Sequence, residues 1–171
     1  MKMLLIFTLL ILNNSFAFAE KMSTEKEKSR QTLTFSPPKG WRQADPGKLT
    51  PNILAMVVGK GSHEFPPSIN LAIHQESGSL KEFLRFVKKV NQADGIQWKD
   101  LGPLRTQAGE ASLSQLDAKT EWGTIREMQV IYIHENNAYI LTAASLKDEF
   151  PKFYKEFFAS LRSLKIEDLH P

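Results

Sequence analysis

Residues 128–145 read MQVIYIHENNAYILTAAS, and the fold turns on this stretch. Residues 128–133 (MQVIYI) and Tyr139–Thr142 present apolar side chains on both parities. Strands with that character sit in mid-sheet, where both faces are covered. Asn136-Asn137 is a tight-turn signal, so strands over Thr124–Glu135 and Ala138–Ser145 are expected to form an antiparallel hairpin.

Downstream, Asp148–Leu164 has a helical period, with Asp148 as the expected N-cap and Pro151 in the first turn. Its stripe of Phe150, Phe153, Tyr154, Phe157, Phe158 and Leu161 must meet the sheet, and Phe153, Phe157 and Phe158 are expected to be largely buried. Upstream, strands are expected over Ile96–Leu101, Leu104–Gln107 and Ala111–Lys119. Before them, Ser79–Asn91 (SLKEFLRFVKKVN) is the clearest helix: Ser79 and Glu82 make an S-x-x-E capping box, and Leu80, Phe83, Leu84, Val87 and Val90 form one apolar stripe. Lys81, Arg85, Lys88 and Lys89 fall off that stripe and read first as a solvated face, with contact to anionic lipid or to an acidic partner as the sharper alternative.

Earlier still, Thr32–Phe35, Ile53–Val58 and Ile69–Ile73 read as strands. Pro37 and Pro38 end the first, and Gly40 permits a turn that lays Trp41 back on the core. Strands, helix, a run of antiparallel strands and a closing helix predict the α+β class. The expected form is an α/β sandwich with a largely antiparallel central sheet of about six to eight strands and two main helices.

The ends read differently. Lys2, the apolar run Met3–Leu12 and the A-x-A pattern Ala17-Phe18-Ala19 predict a cleaved signal peptide over residues 1–19, with Glu20 as the first mature residue. The apolar run is too short for a membrane anchor, which asks for about twenty residues. Residues 20–31 are dense in charge and are expected to be a disordered leader; a single domain then spans 32–165, and 166–171 is a tail. The expected destination is the periplasm or the exterior.

The chain has no cysteine, which removes disulfides, zinc–thiolate sites, iron–sulfur clusters and cysteine nucleophiles together. A net charge of +3, with basic residues scattered among nearly as many acids, argues against nucleic acid as a partner.

The opening Phe35–Trp41 (FSPPKGW), the single helix after the third strand and the closing Phe153–Lys165 (FYKEFFASLRSLK) resemble the superfamily of small exported or lumenal domains that includes PsbP and the DcrB-like periplasmic proteins. That resemblance implies the sandwich fold and a binding or accessory role rather than an enzymatic one. It carries no shared set of functional residues.

Chemistry-bearing candidates are sparse. His74 and His134 each stand near a strand end beside a carboxylate, but without ligand spacing such as H-E-x-x-H; His170 lies in the tail. No G-x-S-x-G elbow marks a nucleophile, and Gly59-Lys60-Gly61 precedes a Pro-Pro rather than a helix, so it is no phosphate loop. Asp117 with Glu121 reads as a solvated hairpin, and Trp98 and Trp122 as core or rim packing. No catalytic residue, metal or cofactor is therefore expected. The 59–67 loop is the candidate contact for a protein partner, offering His63 and Phe65 as an exposed tip on a glycine–proline frame. The expected function is a non-enzymatic accessory protein contacting another exported protein; the alternative is a carrier for a small apolar ligand between the sheet and the last helix.

Overall fold

The structure is a computed structural model and describes residues 30–169. The central hairpin forms as β7 (Gly123–His134) and β8 (Asn137–Leu146), paired from His134↔Asn137 to Ile125↔Leu146. Its turn is Glu135-Asn136, one residue earlier than expected. Both residues take positive φ (46° and 61°), the geometry that keeps a two-residue turn in step with the strands' twist.

Around this hairpin the sheet grows outward in both directions. On one side lie β4 (Ser68–Gln75), β3 (Ile53–Val58) and the two-residue β2 (Arg42–Gln43); on the other lie β6 (Glu110–Thr120) and β5 (Gln97–Arg105). The order is β2-β3-β4-β8-β7-β6-β5, seven strands, antiparallel throughout. The two strands expected over 96–107 are one. A bulge between Asp100 and Gly102 lets the chain bend without leaving the sheet: Gly102 sits at φ 87° and donates its N–H to Asp100 Oδ1 at 2.8 Å.

Helix α1 (Leu80–Ala93) covers one face. Its capping box is present, with Glu82 N–H on Ser79 Oγ at 3.3 Å and Ser79 N–H on Glu82 Oε2 at 2.8 Å. Phe83 and Val87 pack on Ile53, Ala72, Ile131 and Ile140. Helix α2 (Phe150–Arg162) covers the other face, and its buried Phe157 and Leu161 meet Leu71, Val130 and Leu141. Phe157 is fully buried as expected, whereas Phe153 and Phe158 are half-buried at the edge of that cluster. The N-cap is Glu149, not Asp148, and makes no side-chain cap, because its carboxylate is turned to Lys152 and to the neighbouring loop.

The FSPPKGW segment is clamped to α2. Ser160 Oγ donates to the Ser36 carbonyl and Ser163 Oγ accepts from the Ser36 N–H, both at 2.8 Å. Gly40, at φ 82°, turns the chain so that Trp41 meets Phe153 and Phe157 edge-on, at 6.2 and 6.0 Å between ring centres.

The expected boundaries shift at both ends. β1 (Arg30–Thr34) begins inside the predicted leader and pairs antiparallel with β9 (Lys165–Leu169), which occupies the predicted tail. Leu33 is buried in the α2-side core and Ile166 packs against it, so burying these two side chains recruits an otherwise polar pair of segments. The predicted signal peptide, the rest of the leader and His170 lie outside the described residues. No described helix is long and apolar enough to cross a membrane.

Candidate functional site

The 59–67 loop joins β3 to β4 and is fastened at three points. At its base, Gly59 donates its N–H to the Pro67 carbonyl at 2.8 Å, and Gly59 lies so close to Trp41 that a Cβ there would fall 2.7 Å from the indole ring. In its middle, Ser62 comes up against the buried Glu149 carboxylate at the start of α2. Burial alone would raise the Glu149 carboxyl, but the polar groups of Ser62 and the Lys152 ammonium, 3.2 Å from Oε1, outweigh it and hold the group below the usual carboxylate range. At its far end, Phe65 stacks on Trp122 of the β6–β7 turn, with ring centres 5.9 Å apart, beside Ile125 and Ala144.

Phe65 is therefore not an exposed tip. Only 7 % of it is accessible, and the flat apolar seat offered by Trp122 explains its inward turn. The exposed part of the loop is Lys60 to Glu64, with His63 near its apex. The two candidate residues are thus divided: His63 faces solvent and Phe65 anchors.

His74 and His134 do not converge. His74 lies on the α1 face, its ring 5.6 Å from Phe83 and 6.5 Å from Phe86. His134 lies on the opposite face beside Tyr132, with Nε2 3.1 Å from Gln31 Oε1. Among the described residues, no three His, Asp or Glu side chains gather closely enough to hold a metal ion.

Asp117 is also not the solvated carboxylate expected. It is buried opposite Arg126, which grips it through Nε at 2.8 Å and Nη2 at 2.7 Å, while Lys147 Nζ stands 3.0 Å away. The Arg126 hydrogen bonds hold its carboxyl below the usual range, and Asp117 in turn raises the guanidinium. This is an ion-pair clasp that ties β6 to β7 and to Lys147, the residue that follows β8.

Sequence reading missed a row of buried polar side chains on the α1 face. Asn70, Thr142, Gln129 and Ser114 stand in register on β4, β8, β7 and β6, each opposite the next. Glu127, one position along β7 on the same face, is buried, and desolvation pushes its carboxyl up to about 7. Ser114 Oγ and Gln129 Oε1 are buried without a hydrogen-bond partner. Residues 128–133 look apolar on both parities only because Gln129 is one position in six; the row becomes visible once the strands are in register.

These elements define an α/β sandwich with one helix on each face of a seven-stranded antiparallel sheet. No family model matches the chain, and no curated protein sequence does. Among solved structures, LpqN, involved in cell envelope biogenesis of Mycobacterium tuberculosis, aligns with a TM-score of 0.61 at 16% identity, over 81% of this chain and 84% of that one. Cyanobacterial PsbP from Synechocystis aligns at 0.49 and 12% identity, over 86% of this chain and 98% of that one. The Saccharomyces cerevisiae Ran-binding protein Mog1p aligns at 0.48 and 16% identity, over 79% and 86%. The chain shares the LpqN fold, and the architecture implied by the resemblance to PsbP and the DcrB-like proteins is the one found.

Proposed function

We propose that this protein is an exported, non-enzymatic accessory module that contacts a protein of the cell envelope through the loop tip Lys60–Glu64. His63 makes the contact and Phe65 holds the loop in shape. The observation that carries this reading is the contrast within one loop: it is held at both ends, by Trp41 against Gly59 and by Trp122 under Phe65, while Lys60, His63 and Glu64 between them are exposed. A loop fixed before binding loses little conformational entropy when it binds, which favours a partner over mere connection.

Two further observations support the reading. LpqN, whose fold this chain shares, takes part in envelope biogenesis. Residues 1–19 have the three parts of a signal peptide, so the mature chain begins at Glu20 and works outside the cytoplasm.

The test replaces the exposed Lys60, His63 and Glu64 with Ser, leaving Gly61 and Ser62 in place, and compares partner capture from envelope extracts by the parent and variant proteins. The expected result is a partner retained by the parent and lost by the variant, with equal thermal stability. Equal capture by both proteins would remove the loop from function. Turnover of a small molecule that vanished on changing His74 or His134 would overturn the non-enzymatic reading.

A further inference from the structure

A groove of about 550 Å³ runs between α1 and the edge strand β5, lined by Leu80, Lys81, Leu84, Arg85, Lys88, Trp98 and Asp100. Its volume falls within the range of small-molecule sites, roughly 300–1,000 Å³. The helix repeat explains the lining. Leu80 and Leu84 flank the core-facing stripe, and Lys81, Arg85 and Lys88 follow on the side that leans toward β5. The floor is therefore apolar and one wall is cationic. Lys88 Nζ stands 5.9 Å from the centre of the Trp98 ring.

The charge in this groove is unbalanced. Three cations face one carboxylate, Asp100, which already accepts the Gly102 N–H in the bulge. Among the described residues no carboxylate lies within ion-pair distance of Lys81, Arg85 or Lys88. The Trp98 ring forms part of the apolar lining, packed from beneath by Ile96, Leu116 and Ala118.

We propose that the groove binds a free, single-chain anionic amphiphile, with its acidic head on Lys81, Arg85 and Lys88 and its hydrocarbon on Leu80, Leu84 and Trp98. Two alternatives fit less well. A peptide adding as a strand to β5 would meet the 100–102 bulge and Pro103, both devices that block edge pairing. A membrane surface would need an outward apolar stripe, but α1 spends its stripe on the sheet, and Phe86, the exposed apolar residue of the helix, stacks on His74 on the other flank. The site shares no residue with the 60–64 loop and stands or falls separately from it.

Titration calorimetry with monomeric dodecanoate, below its micelle threshold, tests the proposal, with uncharged dodecanol as the comparison ligand. Three proteins are compared: the parent, the double variant Arg85→Glu/Lys88→Glu, and Lys89→Glu, which changes a lysine outside the groove. All carry exposed substitutions, and circular dichroism checks that each is folded. One dodecanoate should bind per parent chain, the double variant should lose at least about ten-fold in affinity, and Lys89→Glu should bind as the parent does; dodecanol should not distinguish the three. The proposal is overturned by no dodecanoate binding to the parent, by equal loss in Lys89→Glu, or by binding to anionic phospholipid vesicles without binding to the monomer.

Discussion

Replacing Phe157 with Ala should remove the largest single contribution that α2 makes to the fold. The side chain is 0 % exposed and lies between three rings, with centre distances of 5.0 Å to Phe150, 5.9 Å to Phe153 and 6.0 Å to Trp41. A fully buried Phe→Ala change costs about 3–5 kcal/mol, and the three ring contacts place this site toward the upper end. Such a loss is a large fraction of the roughly 5–15 kcal/mol that holds a domain together. At this chain length each kcal/mol shifts the melting temperature by about 3 °C, so a fall of about 12 °C is expected in a thermal scan followed by circular dichroism. Tyr154, on the same helix but 50 % exposed, is the internal control: Tyr154→Ala should stay within about 0.5 kcal/mol of the parent. A Phe157→Ala protein within about 1 kcal/mol of the parent would refute the packing of α2 described above.

Glu127 should make stability fall between about pH 4 and pH 7. Its folded-state carboxyl titrates at about 7, above the ordinary value, so the folded protein holds a proton that the unfolded chain has released across that window. Glu127→Gln should therefore match the parent near pH 4 and exceed it by up to about 3 kcal/mol at pH 8 in urea melts; parallel curves at both pH values would contradict the burial of this carboxyl. Asp117 acts in the opposite sense and in a different window, because Arg126 lowers its folded-state carboxyl. The stability it contributes is present above the ordinary carboxylate range and lost as pH falls through the lowered value. Asp117→Asn should cost about 1–2 kcal/mol at pH 7, discounted for the half-exposed Lys147, and the gap should narrow as pH falls below the ordinary carboxylate range. Phe65→Ala should cost about 3 kcal/mol through loss of its seat on Trp122, and a stability unchanged from the parent would mean that the loop is not anchored there.

The parts of the fold that sequence revealed are those decided by neighbours in the chain. The β7–β8 hairpin shows itself through two apolar runs and an asparagine turn, and the α1 capping box through two residues three apart. The direction of Phe65 depends on Trp122, a distant residue brought near by the β4–β8–β7 register, so a loop rich in glycine and proline looked like an exposed tip. β1 and β9 are mostly charged and polar, and only the meeting of Leu33 and Ile166 with the core makes them strands. The polar row on the α1 face takes one residue from each of four strands, a pattern with no signature along any one of them. The basic side of α1 was legible, but not the apolar floor that Trp98 adds from β5.

Contact between the 60–64 tip and a protein partner can be read out by site-specific photocrosslinking in the source cells. A photoreactive phenylalanine analogue is placed at position 63 in one protein and at exposed position 154 in another. The expected result is a discrete crosslinked envelope protein from position 63 and none from position 154. Crosslinks from position 154 alone, or the same adduct from both positions, would contradict a partner held by the loop.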